Sequence, residues 1–492
     1  MNHWLILSLV AAYFIVLLLI SYATSKGAKN EHFFIGEKNS KWYLVAYGMI
    51  GTSLSGVTFM SVPGKVSKIH FFYFQIIIGY LIGYFIVAAV LLPLYYRLQL
   101  TSIYSFLKTR FGNITYKTGA SFFLLSRTLG ASLRIYLVLY VLQTFVLDSI
   151  GVPFAITAFV ILLMIVLYTY KGGVKTIIWT DTLQTTFMIL ALIVTLWVIK
   201  DQLGLSMSGL FTEIQNKGYT QIFDTDWKSP TFFLKQIISG MFITITMTGL
   251  DQEMMQKNIS IKTLGKAQQN MFAFSVVLLF VSLLFLFLGA ALYVYASTKG
   301  ITLSPQTDDT FPLIALQFLP PIAGILFIIG LISALFPSAD GAMTALTSSF
   351  CIDILNMNDR ADWDENTKTK RRISVHLSVA VIFFLIMLVC KAINEKAIID
   401  LVLDIAGYTY GPLLGLFAFG IFLKNKVHEK LVPVVCISAP IITYILKANS
   451  KDWFGGYQIG FETLLINGVL TFIGLALILT RKGNRNEIQS EL

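Results

Sequence analysis

The sequence predicts an all-α integral membrane protein of about thirteen spanning helices. Three observations carry this: 56% of the 492 residues are hydrophobic, only 13% are charged, and the apolar residues recur in runs long enough to cross a bilayer. Soluble domains carry about 25% charged residues, and a spanning helix needs ~20 mainly apolar ones. Thirteen segments qualify, near 3–24, 42–67, 72–97, 118–147, 152–170, 176–199, 232–256, 269–297, 319–355, 373–392, 397–423, 430–447 and 461–480. The first run, Trp4 to Tyr22, is too long for a signal-peptide core and no A-x-A site follows it, so it counts as a span. The ninth is over-long and is expected to kink or to lie partly outside the membrane. The tail from Arg481 is polar and expected to be unstructured.

Lys and Arg are unevenly placed. Twenty-four lie in or at the edges of connections after odd-numbered segments, 10 after even-numbered ones, and Arg127, Arg134 and Lys235 lie within spans. The richer side is cytoplasmic, so the N-terminus is expected outside and the C-terminus inside, across a plasma (inner) membrane. The net charge of +11 is then a matter of topology, which argues against nucleic acid as a partner. Cys351, Cys390 and Cys436 lack the spacing of a disulfide framework or a metal site. With no H-E-x-x-H, no C-x-x-C and five scattered His, of which His376 alone lies well inside the later bundle, no enzyme class is indicated. A single transmembrane domain over 1–492 is expected.

Polar residues inside a bilayer are costly and mark candidate sites. In the second segment, Gly48, Gly51, Thr52, Ser53, Ser55, Gly56 and Thr58 interrupt an apolar run ahead of Pro63-Gly64. Glycine and hydroxyl residues weaken a helical ladder, so this stretch either unwinds to offer carbonyls to a cation such as Na⁺ or packs closely against a neighbour through small residues. In the ninth segment, Pro337 deprives the Ser333 carbonyl of its helical donor. Ala334 and Ser338 share a face, while Asp340 serves another face with Thr344 and Thr347. Asp340 reads as cation-related or as a structural partner of a buried hydroxyl or amide. A Gly172-Gly173 loop leads into the sixth segment, which carries Asp181 within two turns, either as a functional acid or as a helix-end charge. In the fourth, Arg127 and Arg134 stack on one face about 10 Å apart and need anions, either a bound carboxylate or a buried acid such as Asp181 or Asp340. Asp251, and Asp404 ahead of Gly407-Tyr-Thr-Tyr-Gly-Pro412, are weaker signals; the latter run is expected to break its helix midway.

These residues bring a family into view. The chain resembles the sodium:solute symporters along nearly its whole length, in the Gly51-Thr-Ser-Leu-Ser-Gly-Val-Thr-Phe-Met-Ser-Val-Pro63, Gly172-to-Gln184, Gly249-Leu-Asp-Gln252 and Ser338-to-Asp353 stretches. The resemblance implies a LeuT-type fold with broken helices and two inverted five-helix repeats, 42–199 and 232–423, preceded by an extra helix at 3–24 and followed by two at 430–480. It implies sodium-coupled import of a small organic solute by alternating access, a sugar or an acidic sugar such as sialic acid. The alternatives are a proton-coupled transporter or a membrane sensor on a transporter scaffold. The family's main sodium site maps onto Gly51, Leu54, Ala334, Pro337 and Ser338, where Pro337 replaces a hydroxyl residue. A second cation site maps onto Asp181, Ser338, Asp340 and Gly341. Solute contacts map onto Ser53, Ser55, Thr58, Gln75, Arg127 and Arg134.

Overall fold

The computed structural model describes residues 3–25, 40–393 and 398–480; the tail from Arg481 lies outside them. It is built from α-helices, and among the described residues only isolated β-bridges occur. The principal elements are α1 (His3–Ser25), α2 (Trp42–Ser53), α3 (Gly56–Ile69), α4 (Tyr73–Arg97), α5 (Asn113–Leu142), α6 (Phe154–Gln202), α7 (Phe233–Gly249), α8 (Gln252–Ile259), α9 (Leu264–Lys299), α10 (Pro321–Ser349), α11 (Glu365–Ile393), α12 (Ile398–Phe422), α13 (Val432–Ala448) and α14 (Thr463–Leu477).

Among the described residues nine helical stretches are long and apolar enough to cross a membrane, or eleven if two bent pairs are single spans. Those pairs are α2/α3, bent by 57°, and α7/α8, bent by 64°. Two shorter apolar helices, Phe154–Tyr170 and Thr463–Leu477, occupy the two remaining predicted segments.

Two sequence expectations fail, the loop at Gly172-Gly173 and the break at Pro412. The loop expected at Gly172-Gly173 has helical backbone, continuous within α6 from Phe154 to Gln202. A straight helix of that length would run to about 73 Å at 1.5 Å per residue, more than twice the hydrocarbon thickness. We therefore read it as two spans. The ninth segment is helical across Pro337 and widens into a π-helical turn at Phe350–Ile354. The twelfth helix is also unbroken at Pro412. There the carbonyl of Tyr408, which Pro412 cannot serve, accepts from Asn467 Nδ2 of α14 at 2.8 Å.

Burial separates the centre from the rim. In α10 78% of the apolar window is buried, in α12 72% and in the α5 span 67%, against 17% in α11 and 22% in α1 and α13. The rim helices turn Leu377, Val381, Leu385, Val434, Ile437 and Ile441 outward, as lipid contact requires. α10 packs on α6, α5, α2, α3 and α8, so both bent pairs meet it.

α4 and α7 approach backbone to backbone. A Cβ on Gly79 would lie 2.1 Å from the Ile237 carbonyl oxygen, and one on Gly240 would lie 2.3 Å from that of Ile76. Small residues let membrane helices touch backbone to backbone. Gly240→Ala is therefore expected to destabilise the protein by about 1–3 kcal/mol through overpacking, read as a fall in the thermal unfolding midpoint in detergent. Gly265→Ala, with open space around it, should leave the midpoint unchanged or slightly raised.

Candidate functional site

The two breaks face each other around α10, and they are finished differently. In α2 the last closing bond runs from Leu54 N–H to Ile50 O at 2.8 Å, and Ser55 then adopts an extended conformation before α3. The final carbonyls of a helix lack intrahelical donors. Among the described residues no backbone amide closes on the carbonyls of Gly51, Thr52 or Ser53 outside the helix. Gly51 is seated against α6, where a Cβ would lie 2.4 Å from Thr185 Oγ1.

The α7/α8 break is sealed by side chains. Tyr95 Oη donates to the Gly249 carbonyl at 2.7 Å and Tyr104 Oη to that of Leu250 at 2.8 Å. Asp251 caps α8, accepting from the amides of Glu253 at 2.9 Å and Met254 at 3.3 Å, and its other oxygen accepts from Tyr410 Oη at 2.6 Å. Arg127 Nη2 donates to Glu253 Oε2, and Arg127 Nη1 stands 3.7 Å from Asp251. Lys257, one helical turn beyond Glu253, reaches Asp181 Oδ2 at 2.7 Å and Thr52 Oγ1 at 2.7 Å.

Between the breaks lies a cavity of about 120 Å³ lined in part by Ser53, Ser55, Thr58, Tyr80, Arg134 and Thr248. Tyr73 and Leu403 line both this cavity and a second one of about 290 Å³ on the side of Pro230 and Thr231. Ser53, Ser55, Thr58, Arg127 and Arg134 all line this cavity. Two of the predicted solute contacts have protein partners of their own. Gln75 does not line the cavity: its side chain is fully buried, donates to the carbonyls of Phe72 and Thr231, and accepts from the Asp224 amide. Arg127 lines it, but its guanidinium is committed to Glu253. Arg134 makes no ion pair with a described residue, which leaves it as the cavity's free cation.

Ala334, Pro337 and Ser338 are buried on α10, whose Gly330 abuts Phe59 of α3. Ser338 Oγ reaches only its own helix, the Ala334 carbonyl at 3.4 Å, a weak bond. The Ser333 hydroxyl pairs with Tyr13 Oη of α1 at 2.8 Å. Asp181 and Asp340, expected to share a cation, have separate partners. Tyr168 Oη donates to Asp340 at 2.7 Å and the Gly341 amide donates at 2.5 Å, whereas Asp181 serves Thr52 and Lys257. Among the described residues no group of three His, Cys, Asp or Glu could hold a metal ion. His376 is held between the hydroxyls of Thr169 and Thr347, each at 2.9 Å.

Sequence reasoning missed Lys257, Glu253, Tyr95, Tyr104 and Tyr410. Lys257 falls one residue past the predicted span and was assigned to a loop. The i, i+4 spacing of Glu253 and Lys257 after Gly249-Leu-Asp251 was the available signal.

Comparison with known proteins identifies the family and the fold. The sodium:solute symporter family model matches residues 33–430. The sodium/sialic acid symporter NanT of Aliivibrio fischeri is 23% identical over 469 residues, covering 92% of this chain and 89% of its own. SiaT of Proteus mirabilis, also a sodium/sialic acid symporter, is 23% identical with 93% of each chain covered. The mouse sodium-coupled monocarboxylate transporter 1 is 26% identical over 417 residues, covering 82% of this chain and 66% of that one. Among solved structures, a substrate-bound, outward-open Na⁺-coupled sialic acid symporter superposes with a TM-score of 0.81 at 21% identity, covering 97% of this chain and 99% of that one. Mhp1, a nucleobase-cation-symport-1 family transporter, superposes in a closed conformation with a TM-score of 0.56 at 12% identity, covering 91% and 92%. Both likenesses support the fold.

The charge knot gives a direct test. Breaking a buried ion pair from one side costs about 3–5 kcal/mol, whereas replacing both partners with apolar residues is often neutral. Arg127→Met alone should sharply lower the unfolding midpoint, and adding Glu253→Met should recover most of the loss.

Proposed function

The chain belongs to the sodium:solute symporter family, and from that premise we propose that it imports a small anionic organic solute together with sodium by alternating access. The carrying observation is the cavity between the two breaks, which joins the hydroxyls of Ser53, Ser55 and Thr58 to the unpaired guanidinium of Arg134. A guanidinium binds a carboxylate through two parallel hydrogen bonds, and hydroxyls both donate to and accept from a polyol. An acidic sugar fits that pattern, in keeping with the sialic acid named for the NanT and SiaT relatives. The volume of about 120 Å³ favours a second reading, a short monocarboxylate, since pockets for drug-sized ligands start near ~300 Å³. An acidic sugar would need Tyr73 and Leu403 to part and join the two cavities.

Sodium enters this scheme as co-substrate. Its ligands in our reading are the carbonyls of Gly51 and Leu54 with Ala334 and the Ser338 hydroxyl, and the open carbonyls at the end of α2 support the assignment. Pro337 supplies no hydroxyl, and the Ser333 carbonyl it leaves without a helical donor takes that place. Binding there ties α2 to α10, and the ion shifts the conformational equilibrium only by its differential affinity for the two states. In the same reading, 42–199 and 232–423 form the inverted repeats, each opened by a bent pair, and the N-terminus faces outside.

Radiolabelled uptake into proteoliposomes across a panel of acidic sugars and short monocarboxylates tests this. An inward sodium gradient should drive uptake of one class. Arg134→Gln should raise its half-saturating concentration by about tenfold or more, since a hydrogen bond to a charged group is worth ~1.5–3 kcal/mol. Uptake driven equally by protons without sodium, or binding without uptake, would sink the reading. Ser338→Ala and Pro337→Ala should both raise the sodium concentration for half-maximal uptake, the latter because alanine returns a donor to the Ser333 carbonyl.

A further inference from the structure

Asp181 already has its cation. Lys257 Nζ stands 2.7 Å from Asp181 Oδ2, 2.7 Å from Thr52 Oγ1 and 3.5 Å from Glu253 Oε1. All the ion-pair partners are buried, with side-chain exposures of 4% for Lys257, 1% for Asp181 and 2% for Glu253. The Thr52 hydroxyl accepts from the ammonium and donates to the same Asp181 oxygen at 3.0 Å, closing a three-membered ring of contacts. The ammonium therefore joins α2, α6 and α8, as a bound metal ion would.

Two of the other expected ligands of a second cation, Gly341 and Asp340, are also engaged, whereas Ser338 keeps only its weak bond to the Ala334 carbonyl. Gly341 faces the Glu253 carboxylate so closely that a Cβ there would lie 2.1 Å from Oε1. Asp340 accepts from Tyr168 and from its neighbouring amide. Asp181 Oδ1 has no hydrogen-bond partner among the described residues, but a sodium ion there would stand beside the ammonium, in a pocket where like charges are poorly screened.

We propose that Lys257 is a resident cation that substitutes for a second sodium ion, so that one sodium is bound per chain. The inference rests on the sodium-coupled reading for that single ion, but the role of Lys257 is tested independently. A lysine side chain carries its charge through every cycle without being released, so it contributes the structural tie of an ion without adding to the driving force.

Two measurements on the purified full-length chain decide it. First, Lys257→Ala should lose thermal stability and regain it on addition of sodium chloride but not choline chloride, whereas the wild type shows no comparable rescue. Second, equilibrium binding of radioactive sodium should saturate at one ion in the wild type and rise toward two in Lys257→Ala. The Hill coefficient for sodium should rise from about 1 to between about 1 and 2 in step, because it is bounded by the number of sites. The Lys257→Ala/Asp181→Asn variant, which has neither the ammonium nor the carboxylate, keeps the test open if the single variant folds poorly; it should bind one sodium and gain no more stability from sodium than the wild type does. Two sodium ions in the wild type, or a Lys257→Ala protein that sodium neither rescues nor occupies further, would overturn the proposal. A wild type that binds no sodium overturns the sodium-coupled reading instead, and the rescue experiment still reads the role of Lys257.

Discussion

Inside a bilayer each open backbone donor or acceptor is expensive, because no water is there to serve it. A helix can be interrupted only where protein groups or a cavity take over, and this molecule answers that constraint in two ways. At Gly249–Asp251 two tyrosines close the Gly249 and Leu250 carbonyls, and Asp251, held by Tyr410 and facing Arg127, caps the first amides of α8. At Gly51–Ser53 no amide from outside the helix closes on the carbonyls, and the hydroxyls of Ser53 and Ser55 line a cavity. The closed corner positions α8, and α8 in turn presents Glu253 and Lys257 to α2, α6 and α10. The receptive break is therefore held in shape by the sealed one.

The two arginines of α5 show how position decides role. Arg127 and Arg134 are two turns apart on one helix face and look equivalent in sequence. Arg127 lies level with α8 and is neutralised by Glu253, with Asp251 nearby. Arg134 lies beside the tyrosines of α4 and makes no ion pair with a described carboxylate. A free guanidinium beside hydroxyls can select an anion, whereas a paired one chiefly holds a corner together.

Much of this was legible in the residues. Apolar runs located nearly all the helices, and the glycine–hydroxyl stretch in the second segment located one break and one cavity wall. Proline was a poorer guide. Pro412 and Pro337 each remove a single donor, and packing keeps both helices whole, at Pro412 with Asn467 serving the abandoned carbonyl. Gln75 was misplaced because its distance in sequence from the polar stretch says nothing about which helix end it occupies. Lys257 was read as a loop charge because hydropathy windows end where charge begins. A lysine neutralised by an aspartate 76 positions earlier in the chain leaves no local trace of that pairing.

The glycine seam between α4 and α7 has a mechanical corollary. Where side chains separate two helices, rotamer changes can absorb sliding. Where Gly79 and Gly240 bring backbone against backbone, no such cushion exists. α4 and α7 are thus constrained to travel as a single paddle. Tyr80 rides on one blade and Thr248 on the other, so when the paddle tilts the chamber changes shape along one whole wall at once, rather than by the flip of a single side chain.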